Sequence, residues 1–545
     1  MYVKIETDRL NFVRYNQKEL RAETYSNFAD ALLTDNADPR DVGQKVVLPS
    51  SFSGGPRYMH QRTQDAMSYV RKFGKPSLFI TMTGNPKWPE IQQELFHRQQ
   101  ANDRPDIVAR VFHLKKEAFS NVLTKECIFG KVSAHVSTIE WQKRGLPHAH
   151  ILLWLASPLM PGEIDAIISA EIPNKDSNLR LHDIVVTNMM HGPCGETNLS
   201  CSCMEDNRCK KDFPKDFSQE TVCGNDGYPL YRRRSPGQGG HTCTKIVNGR
   251  TVVIDNRWVV PYSPYLCDAF NCHLNVEVCN SIRVIQYVIK YLMKGCDMAS
   301  FVLQGISPND EVSLYQAARY ISCSEACWRI FGFSIHDRYP SVVQLQVHLP
   351  NGQRVLFTEE NASEIAASPP NTTLTAYFKL CLKYQSADNE VRSADEEFIQ
   401  HLPYISVSEY FIFENTTKTW KPRKTGKSVQ LPDGRLTNFK QSAVIGRIHA
   451  VSPKQTECFY VRLLLHHRFN CTSFLDLRTV NGQVKDTFRD ACLAHGLLQD
   501  DSHWRRCMEE ASVSASPYSM RHLFAVLLTS CNPSEPLKLW DANNG

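Results

Sequence analysis

The sequence predicts an α+β protein in which a central antiparallel sheet with flanking helices carries a Cys-rich insertion and is followed by a second α+β region. Three observations predict it. Two apolar strands, 131–142 and 147–155, are separated only by a short segment containing Gly145, which is a hairpin signal. Amphipathic helical stretches lie on either side of that hairpin in the chain, at 106–125 and 281–294. Between the hairpin and the second helix, residues 190–260 turn to Cys, Gly, Pro and Arg with little apolar period, the pattern of an irregular insertion that needs a staple because it cannot build a core.

Length and composition set the class. A chain of 545 residues is long enough for several domains, and 42% apolar with 22% charged residues is a globular balance that speaks against wholesale disorder. The formal charge of +5 is too small to argue for a nucleic-acid partner by itself. The first residues contain no apolar signal core, and no run of about 18 apolar residues occurs, so the expectation is an intracellular chain with no membrane span. In a reducing compartment the 19 cysteines are read as buried thiols or metal ligands rather than disulfides.

Taken in order, the first forty residues read as two short helices around Tyr15 to Leu33, then a loop at Leu48–Pro56. Ser77–Thr83 is apolar and β-branched and is stopped by Gly84, Asn85 and Pro86, so a strand is expected there. Pro105 opens the helix at 106–125, and the hairpin follows. Gly295 ends the helix at 281–294, and Asp310–Phe331 reads as a second long helix. Beyond Gly332 the chain mixes short strands such as Val342–Leu349 with polar loops and two late helices, near Asp486–Leu498 and Ser519–Leu528.

The chemistry begins at His148-Ala149-His150. On a strand the two-residue period sends both imidazoles to one face, and two neutral imidazoles side by side can bind a divalent ion. An isolated pair at this spacing also arises by chance in a chain with 19 histidines. Glu140 strengthens the pair, because it precedes His148 by eight residues across a short turn and folding the hairpin brings its carboxylate beside the imidazoles. Gln142 shares Glu140's parity and competes as third ligand. One hard oxygen with two nitrogens suits Mg²⁺ or Mn²⁺ acting on a phosphate, and the ligand types also admit Zn²⁺.

On the helix at 281–294, Tyr287 and Tyr291 are four residues apart and therefore neighbours on one face, with Lys290 and Lys294 one step round. Half-buried core tyrosines give the same spacing. Beside a metal, a phenol whose free pKa is near about 10 is favoured as phenolate and becomes a nucleophile.

These residues resemble the Rep-type HUH endonuclease of Helitron rolling-circle transposases. The resemblance is carried by LPSSFSGGPRYMHQRTQDAM, LFITMTGNPKWPEI, IEWQKRGLPHAHILLWL, HGPCG, VPYSPYLCDAF, CHLNVEVCNSIRVIQYVIKYLMKG and SEACWRIFGFSIHDRYPSVVQLQVHLP, with SFLDLRTVNG and NPSEPLKLWD further on. It implies that His148 and His150 hold the metal with a third polar residue, for which Glu140 is the geometric choice, and that Tyr287 and Tyr291 attack single-stranded DNA. It further implies transesterification through a 5′-phosphotyrosine, transposon ends and target as DNA partners, and residence in the nucleus. The expected organisation is an N-terminal segment at 1–68, an endonuclease domain at 69–300 containing the insertion at 190–260, and a C-terminal α+β region at 301–545 of the kind that precedes a helicase in this family.

Lys143 and Arg144 at the hairpin turn, Lys87, and Arg232, Arg233 and Arg234 are candidate phosphate contacts, with a solvated charged surface as the plain alternative. Lys290 and Lys294 join them. Trp88 and Trp141 are candidate base-stacking residues, with core packing as the alternative. In the insertion His191, Cys194, Cys203 and Cys209 are the preferred set for a structural Zn²⁺, with Cys201 spare and Cys223, Cys243, Cys267 and Cys272 as substitutes; buried free thiols are the competing reading.

Thr425-Gly426-Lys427-Ser428 mimics the end of a phosphate loop, but Lys421 stands where that loop needs its first glycine, so no helicase activity is expected of this chain and a helicase would act in trans. The expectation is a transposase fragment, truncated reading frame or domesticated derivative that nicks and transfers single strands. The rival is a catalytically silent single-strand-binding remnant or interaction protein, and a third reading is a hydrolase in which water attacks and the tyrosines only pack.

Overall fold

The computed structural model describes residues 1–15, 21–24, 44–45, 52, 55–141, 145–195, 198–223, 229–247, 249–279, 312, 315–316, 321–357, 362–385, 392–449, 451, 455–498, 502–512, 517–530 and 536–541. The chain forms two compact units, one of residues 1–2, 73–299 and 319–339, the other of 3–72, 300–318 and 340–545.

The first unit is built on a five-stranded antiparallel sheet. Its strands are β1 (Leu78–Thr83), β2 (Val132–Trp141), β3 (Pro147–Leu155), β4 (Leu274–Val278) and β5 (His336–Tyr339), in the order β4-β1-β3-β2-β5. The strand bearing His148 and His150 is therefore central. Strand alternation divides the sheet into two faces. Leu78, Ile80, Met82, Ile139, Ala149, Ile151, Leu153, Leu274 and Val276 lie on the apolar face and share one core with Ile107, Val108, Phe112, Phe119 and Leu123 of helix α1 (Pro105–Thr124). Helices α2 (Leu179–Asn188) and α3 (Pro264–Phe270) add Leu181, Ile184, Val185, Leu266 and Phe270 to that core. The opposite face keeps the polar residues of the same strands.

The expected strand, helix and hairpin boundaries at 77–83, 106–125, 131–142 and 147–155 fall within one residue of β1, α1, β2 and β3 at each end. Elsewhere the structure differs. The opening helix is Tyr2–Tyr15, and Arg21–Thr24 is a strand paired with Arg354–Phe357, so neither expected helix around Tyr15 to Leu33 is found among the described residues. A long helix over Asp310–Phe331 is also not found: helix α4 (Cys323–Ile330) starts afresh where the extended Ser322 caps it, its side chain accepting a hydrogen bond from the Glu325 N–H. Both α4 and β5 belong to the sheet's unit, so that unit extends past residue 300. The tyrosine helix expected at 281–294, with Tyr287, Lys290, Tyr291 and Lys294, lies outside the described residues, as do Gln142, Lys143 and Arg144.

The second unit has its own core, centred on Leu374, Tyr377, Phe378, Tyr404, Phe411, Tyr460 and Leu464. Strands Ser341–Leu345 and Val444–Ile448 pair in parallel, and Gly446 is required there because a Cβ would lie 1.9 Å from the carbonyl oxygen of Ile405. Two hairpins follow one another, Phe411–Glu414 with Thr419–Pro422 and Lys427–Gln430 with Leu436–Gln441. Thr425 to Ser428 lies where the first passes into the second, with Lys427 opening a strand of the second hairpin. Among the described residues no helix is long and apolar enough to cross a membrane.

Candidate metal centres

The polar face of the sheet carries the first centre. In the β2–β3 ladder Glu140 stands directly opposite His148, and Thr138 opposite His150. In the β1–β3 ladder Thr83 stands opposite His148 and Thr81 opposite His150. Each imidazole is held by a threonine, His148 Nδ1 at 3.1 Å from Thr83 Oγ1 and His150 Nδ1 at 3.0 Å from Thr81 Oγ1. With Nδ1–H donating to the hydroxyl, each Nε2 is left as a lone pair, the tautomer a metal requires.

His150 Nε2 lies 2.9 Å from Glu140 Oε1. Two donors at right angles around one Mg²⁺, each about 2.1 Å away, are about 3.0 Å apart, so this edge already has the length an octahedral ion would demand. His148 Nε2 and Glu140 Oε2 are buried and find no hydrogen-bond partner among the described residues. Buried polar atoms are rarely left so. His148 is 5% exposed, and burial, followed by His150 and His273, pushes its pKa down to about 3, which keeps the ring neutral. His150 also stacks on Phe79, with centroids 5.7 Å apart. Glu140, His148 and His150 thus offer the donor types a divalent ion takes, with the His150–Glu140 edge at 2.9 Å and His148 Nε2 and Glu140 Oε2 unsatisfied on the same face.

Three further residues share this face without having been singled out by the sequence. Thr81 and Thr83 alternate with apolar Ile80 and Met82 along β1, a period that could have flagged them. His273 precedes β4, and its carbonyl accepts from Thr83 N–H, which extends the row from Glu140 through His148 and Thr83 to His273. The alternation of His273, Asn275 and Glu277 with Leu274, Val276 and Val278 was the available signal. His273 Nδ1 lies 2.9 Å from the Asn188 carbonyl oxygen, which can only accept, so the ring donates from Nδ1.

The second centre lies in the insertion. His191, Cys194, Cys203 and Cys209 each offer a ligand atom, and these four atoms all lie within 4.8 Å of one another, a group able to hold a metal. His191 Nε2 is 3.3 Å from Cys209 Sγ. Cys201 Sγ approaches Cys203 Sγ at 3.5 Å without joining the group. Burial, then Lys211, Lys215 and His273, hold the His191 imidazole below its usual range. Burial opposes ionisation of Cys209, but N–H groups of Phe213 and Lys211 and the neighbouring thiols outweigh it and lower its pKa. Of the substitutes, Cys267 and Cys272 are buried in the sheet's core and Cys243 packs against it, while the side chain of Cys223 lies outside the described residues.

Of the three consecutive arginines, Arg233 is buried and the other two are paired with acidic side chains. Arg233 is 4% exposed and donates to the carbonyls of Asn256 and Val259, both at 2.7 Å, and of Ala170 at 3.3 Å. Arg234 forms a forked pair with Glu171 at 2.7 and 3.0 Å, and Arg232 lies 3.4 Å from the same carboxylate and 3.7 Å from Asp165. Trp88 is likewise a core residue, buried against Phe112 with its indole N–H on the Phe270 carbonyl. Trp141 packs edge-on against Trp328. Lys87 is exposed.

A central strand carrying two inward-facing histidines, completed by a carboxylate from its hairpin partner, defines the first unit as a protein with a candidate divalent-metal site on an antiparallel sheet. Residues 1–153 match the family model described as the Helitron helicase-like domain at the N-terminus, so this part of the chain is similar to Helitron proteins. The match takes in β1, β2 and the part of β3 that bears both histidines. No curated protein matches the chain.

Proposed function

We propose that this chain nicks single-stranded DNA and transfers the cut strand, using a divalent metal at Glu140, His148 and His150 and a tyrosine nucleophile from Tyr287 and Tyr291. The observation that carries the reading is the pair of buried, unsatisfied atoms, His148 Nε2 and Glu140 Oε2, beside a 2.9 Å His150–Glu140 contact on the central hairpin. The Helitron relationship of residues 1–153 supports DNA as the substrate.

Bound there, Mg²⁺ or Mn²⁺ supplies a Lewis acid that polarises an oxygen of the scissile phosphate. Glu140 balances the charge, and Thr81 and Thr83 fix the imidazoles through Nδ1. The tyrosine oxygen attacks phosphorus, the bond from phosphorus to the 3′-oxygen breaks, and the phenolic proton is delivered to that oxygen. The products are a 5′-phosphotyrosine and a free 3′-hydroxyl. A 3′-hydroxyl can reverse the attack, so joining needs no further energy source. In this reading the protein works in the nucleus on transposon ends and targets, with any helicase supplied in trans. Zn²⁺ at His191, Cys194, Cys203 and Cys209 is a second cofactor and takes no part in phosphoryl transfer.

The test incubates the full chain with labelled single-stranded oligonucleotides and Mn²⁺ or Mg²⁺ and resolves covalent adducts on a denaturing gel. A metal-dependent adduct is expected, lost in the Tyr287→Phe, Tyr291→Phe double variant and in His148→Ala. Binding without cleavage would replace this reading with a silent single-strand-binding protein. Cleavage without an adduct would replace it with a hydrolase.

A further inference from the structure

We propose that His191, Cys194, Cys203 and Cys209 form a closed, structural Zn²⁺ centre whose occupancy folds residues 191–215 onto the segment Arg257–Val260. This deepens the zinc assignment made above and does not depend on the nicking reaction. The donor geometry comes first. Tetrahedral zinc, with thiolates at about 2.3 Å and imidazole at about 2.0 Å, sets its donors about 3.5–3.8 Å apart. The four atoms lie within 4.8 Å of one another, and the one imidazole–thiol edge at 3.3 Å is already near that length. Four protein donors fill a tetrahedron and leave no open position, which separates this centre from the two-histidine, one-carboxylate group on the sheet.

Local structure shapes the ligands for this role. Cys203 and Cys209 flank a two-residue turn at Asp206 and Asn207, both at positive φ, which pairs Met204 with Cys209. Lys210 N–H returns to the Cys203 carbonyl at 2.8 Å, and Lys211 N–H points at Cys209 Sγ at 3.4 Å. At the other end Gly192 holds φ +77°, and a Cβ there would meet the Cys194 nitrogen at 2.6 Å and the Trp258 ring at 3.2 Å. Glycine is what lets His191 and Cys194 turn toward one ion.

The segment has little else to hold it. Between Gly195 and Glu220, Cys209 is the one buried side chain among the described residues. Its base, by contrast, is fastened on both sides: His191 N–H donates to the Trp258 carbonyl at 2.8 Å, and Lys215 N–H to the Arg257 carbonyl at 3.0 Å. The His191 ring stacks on Phe213 at 4.2 Å. A loop tied at its base and empty of apolar filling acquires its interior from a metal, and binding is then coupled to folding.

The full chain, purified and dialysed against metal-free buffer, should hold about one zinc by mass spectrometry. Cys203→Ser and Cys209→Ser should each fall below about a tenth of that, while Cys201→Ser keeps it. Because those variants can fail to fold, Co²⁺ exchanged into the unmodified chain gives a second reading, expected as the intense visible bands and thiolate charge transfer of a tetrahedral ion. Chelation should speed amide exchange over 195–220 by about tenfold or more and leave β1 protected. Absence of zinc, an octahedral cobalt spectrum, or exchange indifferent to chelator would each overturn the proposal. His148→Ala must retain zinc. A chain that holds zinc and fails to nick therefore counts against the nuclease alone, and one that nicks without zinc counts against this centre alone.

Discussion

Glu140 and His148 face each other directly across the central hairpin, eight residues apart in the chain and paired in the β2–β3 ladder. The pairing matters because register is all or nothing: a slip of one residue would send Glu140 to the apolar face and break the group apart. Ile139, Ala149 and Ile151, buried on that apolar face, hold the register. The core of the first unit thus fixes the geometry of its polar site.

The threonines of β1 give the first prediction. Val for Thr83 preserves shape and removes the hydroxyl that orients His148 through Nδ1 at 3.1 Å. Thr83→Val should weaken Mn²⁺ binding by about 10–100-fold, measured by titration calorimetry, and Thr81→Val should behave similarly through His150. Far-ultraviolet circular dichroism should be unchanged. Unaltered Mn²⁺ affinity in both variants would show that the metal does not use these imidazoles.

What could be read in advance depended on whether partners were near in sequence. Glu140, His148 and His150 lie on one hairpin whose turn is marked by Gly145 and Pro147, so spacing and strand parity were enough. The zinc set was legible for a similar reason, four donors in nineteen residues of coreless chain. Thr81, Thr83 and His273 were missed because β1 and β4 join the site only through sheet order. β5 was missed because His-Asp-Arg-Tyr has no apolar alternation and owes its strand to pairing with β2. The burial of Arg233 was not legible for the opposite reason: charge implies exposure until carbonyls from two segments, Ala170 in one and Asn256 and Val259 in the other, converge on one guanidinium.

That convergence can be tested. Arg233→Ala would remove the guanidinium donor from the carbonyls of Ala170, Asn256 and Val259 and open a cavity, and should destabilise the first unit by about 3–5 kcal/mol in urea unfolding. At temperatures where the variant stays folded, single-strand affinity and its salt dependence should match the parent chain. A reduced salt slope with unchanged stability would restore Arg233 as a phosphate contact.

Glu171 ties the same region together and makes its stability depend on pH. Its side chain is 9% exposed, and it accepts from both the backbone and the guanidinium of Arg234 and pairs with Arg232. Burial by itself would raise its pKa, but these hydrogen bonds and charges outweigh burial and lower it. A carboxylate whose folded pKa lies below its unfolded value of about 4.3 contributes stability above that value and loses it as pH falls through the folded pKa. Glu171→Gln should therefore cost about 2–4 kcal/mol at neutral pH, since it strips one partner from a largely buried pair. The difference between the two proteins should shrink as pH drops below about 4. Urea unfolding of both at several pH values checks this: a gap that stays constant down to acid pH would mean that the ionised carboxylate is not what binds Arg234, and that its amide-like hydrogen bonds alone hold the segment.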